Sequence, residues 1–241
     1  MIVLLTDFSV HDPYIGQVKA AIYHTAADVK VIDLFSNLPP FNVEAAAYLL
    51  PAYAAGFPPA TVFLCVVDPG VGSARQPLMA KLDDCWFVGP DNGLFGILAR
   101  RSRHAEWYRV RWRPQSLSNS FHGRDLFAPV AAMLASGRMP ACEPCPAPTE
   151  MTQDWPDDLS KVVYIDHYGN VITGLRAVNI AVQTRFSYNG RLLSHARVFS
   201  DVERGESFWY CNANGLVEFA VNQGSAAAVL NAAVGESFAT A

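Results

Sequence analysis

The stretch Ala45-Ala-Ala-Tyr-Leu-Leu-Pro51-Ala-Tyr-Ala-Ala-Gly56-Phe-Pro58-Pro59-Ala-Thr61-Val-Phe-Leu-Cys-Val-Val67 decides how the first half of this chain is read. No charge interrupts it, and an apolar run of ~20 residues is long enough to span a bilayer. Pro51, Gly56 and the Pro58-Pro59 pair argue otherwise, because a Pro-Pro pair beside glycine ends a helix. The stretch therefore reads as a buried helix, a turn and a buried β-branched strand, and no membrane span is expected.

The same alternation continues in both directions along the chain. Upstream lie a strand at Ile2–Thr6, a helix opened by Asp12-Pro13 as N-cap and first-turn proline and running to about Ala26, and a strand at Val29–Leu34. Asn42 caps the helix that carries Val43, Ala46, Ala47 and Leu50. Downstream come strands at Thr61–Val67, Cys85–Val88 and Glu106–Arg111, a helix over Asn92–Arg100, and an amphipathic helix over Gly123–Ser136. Continuous apolar strands alternating with helices predict an α/β domain over residues 1–138, with a central, mainly parallel sheet covered on both faces.

The pattern changes beyond Gly137. Pro140, Pro144, Pro146, Pro148 and Pro156 mark residues 139–160 as a Pro-rich linker. Residues 161–241 read as a small all-β, barrel-like domain, with strands at Lys161–Asp166, Val171–Thr173, Ala181–Tyr188, Arg191–Phe199, Ser207–Asn212 and Leu216–Val221. Asn189-Gly190 and Asn214-Gly215 are hairpin signals between them.

Composition narrows the function classes. Hydrophobic residues make up 51% and charged residues 17%, which excludes intrinsic disorder. A net charge of −4 argues against nucleic-acid or anionic-membrane partners, which need a basic face. Met1-Ile-Val-Leu-Leu lacks a basic leader and Thr6-Asp7 cuts the apolar run short, so a cytoplasmic location is expected. Five cysteines fit reduced thiols, with Cys65, Cys85 and Cys211 inside apolar or aromatic runs. Cys142-Glu-Pro-Cys145 stands alone in the Pro-rich stretch and reads as linker, not as a zinc or redox site. The six histidines show no ligand pairing, so no metal site is expected.

In a chain this poor in charge, polar residues at strand ends stand out, and open α/β sheets bind ligands at those ends. Thr6-Asp7 closes the first strand, where Asp7 suits either a ribose diol or an Asx-turn. Asp68-Pro-Gly-Val-Gly-Ser-Ala-Arg75 closes the third. It lacks a Walker ending, but an Arg near a carboxylate keeps it ionised, and a carboxylate beside a ring such as His122 orients it. Each also has a plain structural reading: Asp68 in a turn, Arg75 as a surface cation, His122 and Asp12 as helix caps. Pro90-Asp91-Asn92-Gly93, Ser120-Phe-His-Gly-Arg-Asp125 and Asp166-His-Tyr-Gly-Asn170 complete the set.

These segments together resemble one family. Leu5-Thr-Asp-Phe8, Asp12-x-Tyr14-x-Gly16, Val67-Asp-Pro-Gly-Val-Gly-Ser-x-Arg75, Gly89-Pro-Asp-Asn-Gly-Leu94, Phe121-His-Gly-Arg-Asp-x-Phe-Ala-Pro129 and Ile165-Asp-x-x-Gly-Asn170 are similar to the S-adenosyl-L-methionine (SAM) hydroxide adenosyltransferases, relatives of the fluorinating and chlorinating enzymes. The resemblance runs from Ile2 to about Ser225. It implies attack of water or hydroxide on C5′ of SAM, giving adenosine and L-methionine, with SAM as substrate and no cofactor.

By the same resemblance, Asp68, Arg75 and His122 form the catalytic set and Asp7 binds the ribose. Asp166 binds methionine, Asn170, Tyr168 and Asn222 lie at the adenine, and Phe41 falls where some relatives stack a Trp. Phe121 is an aromatic neighbour of these motifs and is counted with the substrate-binding residues. The resemblance also implies a homotrimer with sites at subunit interfaces. Two departures are visible: Gly123 stands where fluoride-using relatives carry Ser, and Ala213-Asn214 replaces a Ser-Arg pair that holds the methionine end. A SAM-dependent nucleoside halogenase and a non-catalytic adenosine or SAM sensor are the alternatives.

Overall fold

In the computed structural model, which describes residues 1–148 and 154–241, the uncharged stretch resolves into α2 (Val43–Ala54), a turn through the prolines, and the strand Val62–Val66. The Asn42 side chain accepts from the Ala45 N–H at 2.9 Å and caps that helix as expected. Among the described residues, no helix is long and apolar enough to cross a membrane.

By contact the chain divides into two units, Met1–Ala47 with Gly56–Gln153 and Tyr48–Ala55 with Asp154–Ala241. In the first, β1 (Ile2–Thr6), β2 (Val31–Phe35), β3 (Val62–Val66), β4 (Pro77–Leu82), β5 (Cys85–Pro90), β6 (Ala105–Val110) and β7 (Cys142–Pro144) form one sheet in the order β2-β1-β3-β5-β4-β6-β7. The β2-β1-β3-β5 half is parallel and the rest antiparallel. Every residue of β1 and β3 is buried, which is why both read as unbroken apolar runs. Ile2, Leu4, Val62, Leu64 and Val66 share one core cluster with Ile15, Val18 and Ile22 of α1 (Tyr14–Thr25) and with Val130 of α4 (Ala128–Ala135).

Three local expectations are corrected. Pro13, not Asp12, occupies the cap position of α1, and no side chain caps it: the Pro13 backbone is already helical, at φ −73° and ψ −10°. The helix expected over Asn92–Arg100 is confined to α3 (Gly96–Arg101), because Asn92 and Gly93 form a turn with Gly93 at φ 91°. The helix expected over Gly123–Ser136 begins as one π-turn, Gly123–Phe127, in which the Ala128 N–H reaches back to the Gly123 carbonyl. Pro129, in the first turn of α4, cannot supply the N–H that a regular helix would use there.

The Pro-rich stretch is not all connection. Cys142–Pro144 adds a last strand to the sheet edge, where proline is tolerated, and residues 149–153 of that stretch lie outside the described residues. Cys142 and Cys145 are free thiols, both pushed up by burial.

The second unit contains β8 (Leu159–Ile165), β9 (Val171–Arg176), β10 (Phe186–Tyr188), β11 (Arg191–His195), β12 (Ser207–Cys211), β13 (Leu216–Val221) and β14 (Ala239–Thr240), in the order β14-β10-β11-β12-β13-β9-β8. Its two edges nearly meet. Lys161 bridges Ser237, and the Gly235 N–H donates to the Val162 carbonyl at 2.8 Å. The result is a nearly closed, barrel-like sheet, which leaves little edge exposed. Phe186, Tyr188, Trp209 and Phe219 fill its interior with α5 (Ala226–Leu230) packed against them. Asn189 and Gly190, at φ 47° and 77°, make the two-residue turn from β10 to β11 that their sequence predicts.

Candidate active site

The strand order fixes where a ligand can sit. From β1 the chain leaves toward β2 on one side, and from β3 it leaves toward the rest of the sheet on the other. The crevice between the carboxyl ends of β1 and β3 is thus the topological switch point, the usual binding position in such sheets. Asp7 follows β1 there, and Asp68 follows β3.

A cavity of ≈ 450 Å³ opens at this crevice, lined by Asp7, Phe8, Ser9, Asp12, Tyr14, Pro40, Phe41, Val66, Asp68, Val71, Ser120, Phe121 and Gly123. Asp7 does not form the local Asx-turn: the Ser9 N–H donates to the Ser36 carbonyl, while Asp7 Oδ2 accepts from the Phe41 N–H at 2.9 Å. Burial, with a smaller contribution from the Asp68 charge, pushes the Asp7 carboxyl above the ordinary carboxylate value, and the Phe41 hydrogen bond only partly offsets it. Phe41 is held with φ 63° and is 74% exposed at the cavity mouth. A bulky residue in that conformation at a cavity rim is the kind of local strain that collects at binding sites. Phe121 packs edge-on against Phe8 and Tyr14, with centroids 5.8 and 5.5 Å away, so the floor is aromatic.

Asp68 and Arg75 are brought together. The Arg75 guanidinium pairs with Asp68 Oδ1, which also accepts from the Gly70 N–H at 3.3 Å. The Asp68 turn and the ion pair are therefore one arrangement, and Arg75 is no surface cation. Its guanidinium lies over Gly70, where a Cβ would come within 2.7 Å of it. The glycines of the loop make room for an arginine to fold back. Beneath the loop, the buried Asn92 side chain donates to the Val67 carbonyl at 2.7 Å and pins the residue before Asp68.

His122 starts the π-turn but makes no side-chain capping bond. It lines a second cavity of ≈ 240 Å³ together with Asp68, Arg75 and Arg113. Its loop is braced by Asp125, which takes two hydrogen bonds from Arg124 and one from the Ser118 N–H. The Arg124 contacts hold the Asp125 carboxyl below its usual range against the opposing effect of burial. Asp12 and Tyr14, the former read from sequence as a cap only, both reach the larger cavity. Their signal was the Asp12-x-Tyr14 spacing within a motif.

In the second unit, Asp166 organises its own turn. Oδ1 accepts from the Tyr168 and Asn170 N–H groups at 2.9 and 2.8 Å, and Oδ2 from the Asn170 side chain at 2.9 Å. Asn170 is buried and Tyr168 is 77% exposed, so the turn presents an aromatic ring on a rigid base. The Ala227 N–H, in α5, donates to the Gly169 carbonyl at 2.8 Å. Asn222 is anchored at the end of β13, its amide donating to the Val202 carbonyl at 2.8 Å. Among the described residues, no three His, Cys, Asp or Glu side chains group as metal ligands.

Comparison with known proteins agrees over nearly the whole chain. The family model described as SAM hydroxide adenosyltransferase N-terminal domain matches residues 2–142, and that of the C-terminal domain matches residues 160–239. The chain is 38% identical over 239 residues to an (R)-S-adenosyl-L-methionine hydrolase of Thermus thermophilus, covering 92% of each. It is 24% identical over 285 residues to a fluorinase of Actinopolyspora mzabensis, covering 98% of this chain and 95% of that protein. The crystal structure of an uncharacterized conserved protein from Thermotoga maritima superposes with a TM-score of 0.85 at 30% identity, over 100% of this chain and 99% of that one.

Proposed function

The chain belongs to the SAM hydroxide adenosyltransferase family, and on that premise we propose that it hydrolyses S-adenosyl-L-methionine at C5′ to adenosine and L-methionine. The observation that carries the reading is the Arg75-paired Asp68 standing at the switch-point cavity and lining a second cavity with His122.

The chemistry asks little of the leaving group. Breaking the C5′–S bond returns an electron pair to a sulfonium, which departs as a neutral thioether, so neither a metal nor a strong acid is required. What remains is an aligned water, an acceptor for its proton and a shaped pocket. His122 binds the water and takes its proton, Asp68 orients His122, and Arg75 pairs with Asp68 and favours a developing hydroxide. Asp7 accepts from the ribose hydroxyls. Phe41 and Phe121 pack on the nucleoside, while Asp166, Tyr168, Asn170 and Asn222 serve the methionine and adenine ends.

The division of these residues between two units supports a homotrimer in which neighbouring subunits complete each site. The reading keeps the enzyme in the cytoplasm, where thiols such as Cys142 and Cys145 stay reduced. At Gly123, where fluoride-using relatives carry Ser, a Cβ would come within 2.9 Å of the Phe8 ring, so this chain offers no serine hydroxyl to a halide there.

The purified protein incubated with SAM, with and without chloride, is expected to release equal amounts of adenosine and methionine. Asp68→Ala, Arg75→Ala and His122→Ala are each expected to abolish that release. Chromatography showing 5′-chloro-adenosine, or tight binding with unchanged SAM, overturns the proposal.

A further inference from the structure

The two cavities share one wall, and the wall has two chemically different faces. Along the loop after β3, Val71 lines the larger cavity while Gly70 and Gly72 line the smaller. Along the loop before α4, Phe121 and Gly123 line the larger while His122 lines the smaller. Among the described residues, Asp68 alone lines both. Neighbouring residues thus alternate across a partition with Asp68 at its crossing point.

Charge divides the same way. The larger cavity carries carboxylates, Asp7, Asp12 and Asp68, and no cationic side chain. The smaller carries the guanidinium groups of Arg75 and Arg113 and the His122 ring, with the shared Asp68 paired to Arg75. A sulfonium cation is favoured on the acidic, aromatic side and disfavoured beside two guanidinium groups. An oxygen gaining negative charge has the opposite preference. The smaller cavity, at ≈ 240 Å³, has room for several waters.

We propose that the smaller cavity is a dedicated water compartment, through which the nucleophile arrives and its proton leaves, while the nucleoside occupies only the larger one. The inference rests on the hydrolase reading. In the step, a water oxygen in the smaller cavity forms the O–C5′ bond past Asp68 as the C5′–S bond breaks, and sulfur keeps the electron pair. The proton passes to His122 and then to solvent on the same side. Substrate and nucleophile therefore do not compete for one entrance, and the electrostatics sorts them before they meet.

The test fills one compartment at a time. Ala74 lines the smaller cavity and is exposed, so Ala74→Ser, Ala74→Leu and Ala74→Trp form a size series that disturbs little else. The single-turnover rate of adenosine formation is expected to fall with side-chain volume, by tenfold or more for Trp. The Kd for SAM, measured by calorimetry, is expected to stay within twofold. Leu117→Phe, on another part of the same lining, is expected to repeat the pattern. Val71→Trp, three residues away but facing the larger cavity, is expected to raise Kd instead. An unchanged rate in Ala74→Trp, or rate and Kd weakening in parallel, overturns the compartment. Wild-type protein that binds SAM and releases no adenosine overturns the hydrolase reading itself, and the compartment with it.

Discussion

Each of the two units holds an Asp–Arg pair, and the difference between them shows what distinguishes a reactive carboxylate from a structural one. Asp158 is saturated. Oδ1 accepts from the Arg176 backbone N–H at 3.0 Å and its Nε at 2.8 Å, and Oδ2 accepts from Arg176 Nη2 and Asn179 Nδ2, both at 2.7 Å. Asp68 takes both of its hydrogen bonds, from Arg75 and the Gly70 N–H, on Oδ1. Among the described residues, its Oδ2 receives none, and the residue lines two cavities. The first pair is a clasp between β9 and the segment before β8. The second is a carboxylate with one oxygen still available for work.

Neutralising both aspartates without changing their shape separates the two pairs most strongly. Asp68→Asn is expected to lower the single-turnover rate by roughly 10²–10⁴, the usual worth of positioned acid–base chemistry. Asp158→Asn is expected to leave the rate within twofold. Equal losses of activity in the two variants, read by adenosine chromatography, end the distinction between clasp and reactive group.

The Asp158 pair reads out in stability and not in rate. Burial raises the Asp158 carboxyl, but the Arg176 and Asn179 hydrogen bonds outweigh it and bring the group down to about 2, against 3.8 for the free side chain. Asp158 therefore stabilises the fold above pH 3.8, and that contribution disappears as pH falls from there through about 2. Because Arg176 is about a third exposed, solvent screens the pair. Arg176→Ala is expected to cost about 1–2 kcal/mol in urea melts at pH 7, with much less effect at pH 2. A loss independent of pH assigns the cost to packing of the Arg176 stem and not to the clasp.

Asp7 lies between these extremes, with one oxygen tied to the Phe41 N–H and its carboxyl raised by burial. Its charge is paid against desolvation, so protonation as pH falls relieves the fold, opposite in sign to Asp158. Substrate binding suffers instead. KM for SAM is expected to rise severalfold on acidification, with its onset above pH 3.8, and Asp7→Asn is expected to start from the raised KM and show no such onset. An acid limb that survives in Asp7→Asn belongs to another group.

The sequence carried the strands better than the helix ends, for a physical reason. β1 and β3 are buried on both faces, and that burial writes itself as an unbroken apolar run such as Val62–Val66. Helix starts depend on one or two backbone angles, and Pro13 being already helical moved the cap off Asp12. β4 carries no strand signal of its own, because Pro77-Leu-Met-Ala-Lys-Leu82 has neither strict alternation nor a β-branched residue. At the site, the Asp68–Arg75 pairing was readable from seven-residue spacing on one Gly-rich loop. The alternation of Phe121, His122 and Gly123 between two cavities was not, since it arises where the loop meets the π-turn Gly123–Phe127, which no residue pattern announces.

Cys142 and Cys145 have motif spacing and no chemistry. Cys142 begins an edge strand, paired with Val110, and the Cys145 N–H donates to the Trp107 carbonyl at 2.9 Å. Burial raises both thiols, first and foremost, so neither has the lowered value of a reactive cysteine. Their backbone, not their sulfur, is what the sheet uses. Serine keeps that backbone and nearly the same volume, at the cost of a hydroxyl at two half-buried positions. The double variant Cys142→Ser/Cys145→Ser is expected to retain the wild-type rate within twofold and to lose no more than about 1 kcal/mol of stability. Labelling with a thiol reagent under native conditions is expected to be slow at both. Rapid labelling, or a rate that collapses in the double variant, places reactive sulfur where strand pairing alone has been assigned.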